Sequence, residues 1–552
     1  MNRLRILLIL LVLVMLLPCA ALAASNKPLF SLNCGTASVS PQYFTSYGWC
    51  LFLPGSWAGK TLDVHPVREG GVYLNGVLYT EGMTVACDDL PAKFSAAASP
   101  KGKKHTTAVY RGSSLPALFL TVEQDQLDRI NKSKTCKAPA YLTAYGANGE
   151  IEFDGELRYL KTRGNSTFQY RKKPYQLHLG KKASLAGLPM AKKFILLADY
   201  LDISLLRNRI TLNLARAAGL PFSLECMHVD VYLNGEYRGL YLMTEKIQVG
   251  SSGVDIADLE EENEEVNPQP LDSYPVFESQ PEGLIDARGY DLENDPEDVT
   301  GGYLLETDKV YRYRRSDEPG FITSRNMAVY IKQPEHPSRA QVEYIGNLMS
   351  AFHRAILSAD GTDPATGRHY SQMIDMESFA RKYLIEEISK NFDGQRGSQF
   401  FYKDRGEDAL VYAGPCWDYD LTYGDILQEG FKGALHPRDF YMSRFKSNEC
   451  WWNNLMKQPD FAARVQQEYR QTFLPLLKVL LGQAEPAYGL QSIDEYKAQI
   501  ADSAAMNFKR WSPSSNKGYY KEAGYTFDQG VKYLKNWLDK RVQFLTSQWD
   551  KQ

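Results

Sequence analysis

A helix pattern set between two groups of strand patterns limits the folds open to this chain. Apolar residues between 204 and 218 recur at the spacing of an amphipathic helix, with Gly219 at its C-terminal end and Pro221 beyond it. The dipeptide Asn234-Gly235, a strong hairpin signal, joins the last two strand patterns. The strand patterns lie at residues 118–122, 140–145, 149–160, 228–233 and 239–244. We therefore predict an α+β layout in which one helix crosses a mixed sheet.

The regions on either side differ in composition. Residues 25–108 are rich in Gly, Ser, Pro and aromatic residues and contain the hairpin dipeptide Asn75-Gly76, so we predict a small all-β domain, with a disulfide inside it. Residues 251–299 are acidic, contain several prolines and lack periodicity, which indicates an insertion or mobile loop. The remainder is mainly helical in pattern. Helices are predicted at residues 123–132, 339–357, 376–390 and 527–549, and strands at 302–306, 328–332 and 399–403.

The N-terminus indicates export. Residues 1–24 combine an early basic region, an apolar run and a small-residue stretch ending in Ala23-Ala24, the order of a cleaved secretory signal peptide. An uncleaved anchor is the alternative, and Cys19 raises a lipoprotein alternative that the preceding Pro18 disfavours. We expect a secreted or cell-envelope protein with no membrane span after signal cleavage.

Charge and cysteine content exclude some classes of function. The net charge is −3, and this lack of basic excess gives no reason to expect a nucleic-acid partner. Seven of the eight cysteines follow the signal region, where an oxidising compartment permits disulfides, most readily among the N-terminal ones. The sequence contains neither CxxC nor HExxH, so a zinc site is not expected.

Two regions carry residues suited to phosphate chemistry. The turn Arg163-Gly164-Asn165-Ser166-Thr167 lies between strand patterns and is soon followed by lysines, an arrangement that can hold phosphate oxygens but that also occurs in ordinary turns. Further along, Asp393 follows a helix and Asp418 follows a strand. Two such carboxylates suit phosphoryl transfer, one accepting a hydroxyl proton and the other holding Mg²⁺, although either could be a solvated turn residue.

Eight sequence blocks in this order resemble the CotH family (spore-coat protein H and its relatives) over roughly residues 115–430, and the similarity extends toward 548. The blocks are RGNST, KKPYQLHL, LLRNRITLNLARAAGL, VYLNGEYRGLYLMTEK, GGYLLETD, YIKQPE, ESFARKYLIEEISKNFD and GPCWDYDLTYG. The resemblance implies a divergent two-lobed protein-kinase-like fold over residues 109–548. Its β-rich small lobe would span about 109–250, its acidic insertion about 251–299 and its helical lobe about 300–548.

The resemblance also implies an activity: transfer of the ATP γ-phosphate to Ser or Thr of extracytoplasmic proteins, with Mg²⁺ or Mn²⁺. Asp393 and Asp418 would be catalytic. The nucleotide would contact Arg163, Gly164, Asn165, Ser166, Lys173, Glu245 and Ser398, with Lys172 as the alternative to Lys173 and Glu245 at a hinge to the base. The metal would be held by Asp418, Asp420 and Asn391.

The sequence departs from ordinary kinases, since it contains no GxGxxG before a V-A-I-K strand, no HRD and no DFG. The predicted helix at 204–218 offers no glutamate to pair with the lysine, and Asp202 is a candidate replacement. Two other functions remain open. The chain could be a non-catalytic surface or adhesion protein that keeps the scaffold, or a glycoside hydrolase using paired carboxylates beside Trp417 and Tyr419.

Overall fold

A computed structural model describes residues 27–395, 397–427, 432–445, 450–513 and 520–550. The predicted signal peptide and Cys19 lie outside the described residues. The mixed α+β class predicted from the sequence is confirmed, because several β-sheets and many helices share the chain. Within the described ranges, no helix is both long and apolar enough to cross a bilayer.

The N-terminal region folds into two sheets, with strand orders β2-β1-β5-β8 and β3-β4-β10-β9-β6-β7. The strands are β1 Phe30–Cys34, β2 Ala37–Val39, β3 Gln42–Phe44, β4 Gly48–Leu53, β5 Thr61–Pro66, β6 Val72–Leu74, β7 Val77–Tyr79, β8 Thr84–Ala86, β9 Lys93–Ala97 and β10 His105–Arg111. The predicted Asn75-Gly76 turn joins β6 to β7, and both residues have positive φ, as this tight hairpin requires.

The predicted disulfide is absent from this region, because Cys34, Cys50 and Cys87 are free thiols. Cys50 lies in the six-stranded sheet, whereas Cys34 and Cys87 belong to the other sheet or its edge. Strand β5 separates the strands of Cys34 and Cys87, which places them about 10 Å apart. That distance exceeds the roughly 7 Å between Cα atoms that a disulfide can bridge.

A closed seven-stranded barrel follows, in the order β11-β12-β13-β14-β15-β17-β16. Its strands are β11 Ala117–Thr121, β12 Ala138–Tyr145, β13 Ile151–Thr162, β14 Tyr175–Ala183, β15 Ala191–Leu197, β16 Cys226–Leu233 and β17 Glu236–Glu245. The Asn234-Gly235 hairpin joins β16 to β17 as predicted. Two helices accompany the barrel, α1 Gln124–Lys132 and α2 Arg207–Ala217, and both were predicted from periodicity.

The seven strands of the last sheet run in the order β18-β19-β21-β22-β20-β23-β24. They are β18 Val276–Ser279, β19 Leu284–Tyr290, β20 Tyr303–Asp308, β21 Gly320–Thr323, β22 Ala328–Gln333, β23 Gln399–Lys403 and β24 Val411–Ala413. Of the two alternatives predicted for the acidic stretch, an insertion or a mobile loop, the loop is wrong, since the stretch supplies β18, β19 and helix α3 Leu259–Val266. Tertiary contacts order it: the buried Asn263 bonds to Gln341, and Glu260 pairs with His336.

Helices occupy most of the remaining chain and pack around one large apolar core. They are α4 Val310–Tyr313, α5 Arg339–Ala355, α6 Met376–Ser389, α7 Lys432–Leu435, α8 Trp451–Leu455, α9 Pro459–Glu468, α10 Leu474–Leu480, α11 Ile493–Arg510 and α12 Phe527–Trp549. A π-helical turn, Tyr469–Phe473, joins α9 to α10. Short 3₁₀ turns lie at Gly55–Trp57, Thr167–Gln169, Leu271–Ser273, Tyr370–Gln372 and Met442–Arg444. Helices α5 and α11 begin with capping boxes, at Ser338 and Ser492.

Candidate active site

The predicted phosphate-binding turn joins β13 to β14. Gly164 has φ +90°, and a Cβ there would lie 2.2 Å from Thr167 Oγ1, so this position requires glycine. The Arg163 amide donates to the Pro174 carbonyl, and Asn165 accepts a hydrogen bond from Lys134. Ser166 is exposed. The turn is therefore held at its base and open to solvent at its tip.

The two lysines after this turn have different surroundings. Lys173 donates to the Phe168 carbonyl and lies over the Phe168 ring, so it stabilises the turn itself. Lys172 is buried, lies 4.5 Å from the Tyr241 ring centroid and donates to the Leu240 carbonyl at 2.5 Å. Burial lowers the pKa of Lys172 to about 7, and Asp199 opposes that shift. Lys172, the alternative in the sequence analysis, is thus the lysine close to acidic groups.

Helix α2 contributes two buried polar residues at the start of its sequence. Arg207 forms ion pairs with Asp202 and Glu522, both at 2.5 Å. Asp202 is therefore committed to Arg207 rather than to a lysine, which makes it a poor replacement for the missing glutamate. Asn208 donates to Asp199 Oδ1 at 2.8 Å and accepts from the Tyr419 amide at 2.8 Å. It links Asp199, the acid near Lys172, to the loop that carries Asp418.

Asp393 lies in a turn that begins directly after α6. Lys390 ends the helix in the left-handed conformation, and Asn391 Oδ1 accepts the Asp393 amide at 3.1 Å. Lys309 lies at the end of β20 and its ammonium is 3.1 Å from Asp393 Oδ1. Asn391 therefore shapes the turn with its oxygen, while its buried Nδ2 has no partner among the described residues.

Asp418 lies in the loop after β24, which passes through the cis Gly414–Pro415 bond. Its backbone is left-handed, with φ +71°, a conformation that costs energy for a residue with a Cβ. Ser398 makes a long contact of 3.5 Å with its carboxylate. Tyr419 attaches the loop to helix α6, because its hydroxyl donates at 2.5 Å to Glu386 and accepts from Lys382, both on that helix.

The loops of Asp393 and Asp418 meet, since Ser398 of the first contacts the Asp418 carboxylate of the second. Burial raises the pKa of the Asp418 carboxyl, Asp393 raises it further, and Arg163 acts in the opposite direction. The Arg163 guanidinium also lies 5.0 Å from the Trp417 ring centroid. Asp418 is nevertheless accessible to solvent. The contacts of Ser398 with Asp418 and of Arg163 with Trp417 thus bring the predicted Arg163 near the loops of the two predicted catalytic aspartates.

Several carboxylates lie close together here, and Arg312 acts on Asp418 while Lys332 pairs with Glu306. The pKa of Asp420 is well above its usual value, because burial and the neighbouring Asp418 and Asp199 disfavour its ionised form. Burial raises the pKa of Asp199 to about 7, and that of Glu306 on β20 to about 7 as well. Ionising this group of acids together therefore requires added positive charge.

Glu245 lies apart from this group, at the end of β17. It lines a cavity of about 200 Å³ with Phe222, Ile247, Val254 and Pro415. Its Oε1 accepts the Glu225 amide, whereas the buried Oε2 has no partner among the described residues. Burial raises the pKa of Glu245. The structure thus places Glu245 next to the loop that leads to Asp418, in a cavity whose lining is both apolar and polar and includes Glu225 and Ser251.

The residues present fit a magnesium–nucleotide ligand. No group of three or more His, Cys, Asp or Glu side chains in the described part of the chain forms a ready metal cage. Mg²⁺ does not require one, because it commonly uses one or two carboxylates together with phosphate oxygens. The accessible Asp418 and the adjacent Asp420 provide such carboxylates, and Arg163 provides a guanidinium suited to phosphate.

Several residues of this cleft were missed by the sequence analysis. Glu306 lies within the block GGYLLETD, and Lys309 directly follows it. The charged end of this block was visible in the sequence, but the residues that Glu306 and Lys309 contact are distant in sequence. Asp199 and Asn208 gave no separate signal, since each acts through a contact that the fold creates.

Comparisons with known proteins identify the family of the chain. A search of curated proteins found no match. The family model described as CotH kinase protein matches residues 160–545, a span that includes the turn at Arg163, both catalytic candidates and most of the chain. The chain belongs to the CotH kinase protein family.

Proposed function

We propose that this chain is an extracytoplasmic protein kinase that transfers the γ-phosphoryl group of ATP to Ser or Thr hydroxyls. In this proposal the barrel is the small lobe, the part of the chain from residue 300 onward is the large lobe, and the nucleotide binds between them. Family membership supports a kinase-like protein. The signal-peptide pattern of residues 1–24 supports an extracytoplasmic location.

One observation carries the proposal: the loops of Asp393 and Asp418 meet where Ser398 contacts the Asp418 carboxylate at 3.5 Å, and Arg163 lies 5.0 Å from the ring of the adjacent Trp417. Two carboxylates with a phosphate-binding cation are the minimum that phosphoryl transfer requires. The strained backbone of Asp418 gives independent support, because such strain persists where the surrounding structure fixes a functional side chain.

Each residue has a role in the proposed reaction. The acceptor hydroxyl oxygen forms a bond to the γ-phosphorus while the bond from that phosphorus to the β–γ bridging oxygen breaks. The hydroxyl proton passes to a carboxylate oxygen of Asp393, which Lys309 orients through its 3.1 Å contact. Arg163 stabilises phosphate charge. Asn208 is a positioning residue that connects Asp199 to the loop of Asp418.

Asp418 and Asp420 would hold a divalent metal, with Ser398 or Asn391 as auxiliary groups. When bound, Mg²⁺ supplies positive charge to the phosphate oxygens and to the clustered carboxylates. The cavity at Glu245 is proposed to receive the nucleotide base. Lys172 replaces Lys173 as our choice for the phosphate-side lysine, because Lys173 is occupied by the turn that contains Phe168.

The test is calorimetry of the mature chain with ATP and Mg²⁺ or Mn²⁺, followed by transfer from labelled ATP to a mixed Ser/Thr peptide substrate. We expect metal-dependent ATP binding by the wild type. Asp418→Asn should lose that dependence, and transfer should fall by about 100-fold or more. Asp393→Asn should keep ATP binding but lose transfer.

Asp89→Asn is the matched control, because this substitution removes the same charge from a residue that is exposed in the N-terminal region. It should behave as wild type. Absence of ATP binding by folded wild-type protein, with either metal, would contradict the proposal and favour the non-catalytic scaffold.

A further inference from the structure

A set of basic residues lies on the outward face of the barrel, and we refer to Lys137, Arg158, Lys161, Lys192, Lys193 and Lys246 as the basic patch. The strand register places two of them, Lys193 and Lys246, on adjacent strands beside the rings of His178 and Tyr159. Tyr159 of β13 pairs with His178 of β14, and His178 pairs with Lys193 of β15. The Lys246 amide, just after β17, donates to the Lys193 carbonyl. Tyr159, His178, Lys193 and Lys246 thus form one row across four strands, and Lys161 lies two residues from Tyr159 on β13.

This charge is not balanced within the protein. Among the described residues, no member of the basic patch has a carboxylate oxygen within 4.0 Å of its charged nitrogen. Burial and the neighbouring Lys193 lower the pKa of Lys246 to about 8, and Glu335 offsets this only in part. The whole chain has a net charge of −3, so this local excess of positive charge is a specific feature of the surface.

A buried polar group supplies a second observation. His178 is 7% exposed, lies at the centre of the row, and its Nδ1 has no partner among the described residues. Burial, with Lys193, Arg158, Lys192 and Lys137, lowers its pKa to about 4. His178 is therefore neutral, and the positive charge of the four cations near it is available to an acidic ligand.

The basic patch leads to the candidate active site. Lys161 lies near the end of β13 and Arg163 directly follows that strand, and the charge of Arg163 helps to lower the pKa of Lys161. Arg163 in turn faces Asp418. An extended ligand on this face would therefore have one end near the candidate phosphoryl-transfer site and lie along the exposed rim formed by Lys137, which precedes the partner of Leu160, and by Arg158 and Lys192.

We propose that the basic patch binds an acidic peptide segment of the protein substrate. Identification of that peptide as the phosphoryl acceptor rests on the proposed kinase function, but the binding itself does not. Three strand spacings span about 14 Å, which an extended peptide covers in about four residues. Glutamate or aspartate side chains on such a segment complement the row of lysines.

A peptide suits this surface better than a nucleic acid. The basic patch is short, and acidic groups border it: Glu335 is exposed beside it, while Glu306 and Glu318 flank the neighbouring Lys332. A nucleic acid carries regularly spaced phosphates, which would meet these carboxylates as well as the lysines. A short acidic segment can place its charges on the lysines alone.

The experiment measures binding without nucleotide, by fluorescence anisotropy of two labelled peptides. One contains a single Ser beside four Glu, and the other replaces each Glu with Gln. We expect the wild type to bind the acidic peptide at least about tenfold more tightly at low salt. The difference should shrink toward zero at about 0.5 M salt.

A triple variant of the rim, Lys137→Glu, Arg158→Glu and Lys192→Glu, should lose this preference. The matched control reverses the same number of charges at Lys101, Lys103 and Lys104, which are exposed in the N-terminal region, and should keep it. Equal binding of both peptides by the wild type, or a rim variant that still prefers the acidic peptide, would overturn the inference.

An oligonucleotide that binds the wild type as tightly as the acidic peptide would overturn the assignment to a peptide. ATP binding by the same variants is measured separately. Peptide binding without ATP binding would support this inference and contradict the proposed kinase function. ATP binding without a preference for the acidic peptide would contradict this inference and leave the proposed kinase function standing.

Discussion

At the scale of single residues, backbone strain occurs in the two loops that carry Asp393 and Asp418. Asp418 has a left-handed backbone, and so do Lys390 and Ser398 on the loop that carries Asp393. Non-glycine residues adopt this conformation infrequently, at a cost of about 1–3 kcal/mol each. Three such residues around one cleft indicate that the two loops are shaped for their side chains rather than for the stability of the fold.

The choice between Lys172 and Lys173 gives a prediction. Lys172→Met should reduce phosphoryl transfer by about 100-fold or more, because it removes the buried ammonium near Asp199. Lys173→Met should change transfer only a few-fold, since the Lys173 ammonium bonds to the turn and lies over the Phe168 ring. The measurement is the rate of transfer from labelled ATP at saturating peptide.

Each of these lysine variants is the other's control, because the same substitution is made at adjacent positions. Thermal unfolding of both proteins checks that the folds are retained. A larger loss from Lys173→Met than from Lys172→Met would restore Lys173 as the phosphate-side lysine and show that the turn rearranges when nucleotide binds.

At the scale of elements, the sequence predicted best where local signals decide. The helix predicted at 527–549 matches Phe527–Trp549, and its start follows from the capping box at Thr526. Strand β15 was missed because three consecutive residues, Phe194, Ile195 and Leu196, are buried, which removes the alternation that identifies a strand. Helix α3 was missed because the contacts that order it come from distant residues.

The same division applies to the candidate site. The turn at Arg163 and the loops of Asp393 and Asp418 were identified from short motifs and the family resemblance. The pairing of Lys309 with Asp393 and the contact of Asn208 with Tyr419 join residues far apart in the sequence. A single sequence contains no signal for such pairs, because nothing local requires them.

Helix α2 supplies a prediction at this scale. Asn208→Ala should weaken metal-dependent ATP binding, because it leaves the Tyr419 amide and Asp199 without their shared partner. The stability cost should be about 1–3 kcal/mol. The informative readout is the Mg²⁺ concentration for half-maximal ATP binding, which should rise, since a purely structural role would not change it.

Asn213→Ala on the same helix is the matched control. Asn213 donates to the Tyr496 hydroxyl at 2.9 Å and accepts from Cys226, away from the cleft. It should lose stability to a similar extent while leaving the Mg²⁺ dependence unchanged. Identical Mg²⁺ dependence in both variants would show that Asn208 does not position the loop of Asp418.

At the scale of the whole molecule, the N-terminal strands and the barrel share an apolar cluster. Trp57 is fully buried and stacks on Phe119 of β11 with ring centroids 5.0 Å apart. Phe119 stacks in turn on Tyr232 of β16 at 4.7 Å, and Phe52 stacks on Tyr237 of β17 at 5.1 Å. The outward face of these barrel strands is therefore covered by the N-terminal region rather than by solvent.

This shared cluster predicts how the molecule unfolds. Trp57→Ala should lower the free energy of unfolding by about 3–5 kcal/mol, the usual cost of removing a large buried aromatic side chain. Because the cavity would open beneath barrel residues, unfolding of the barrel should shift to lower denaturant together with that of the N-terminal sheets. Denaturation followed by circular dichroism and by ATP binding measures the two events.

Trp49→Ala is the matched control, since Trp49 is also buried but contacts His105 and Tyr43 within the N-terminal sheets. It should destabilise those sheets, but the denaturant concentration at which ATP binding is lost should change less than in Trp57→Ala. If Trp57→Ala shifts only the N-terminal signal and ATP binding is lost at the wild-type denaturant concentration, the N-terminal region is an independent domain. A coincident shift instead makes it a structural part of the barrel, because the stacked rings then transmit the loss across the interface.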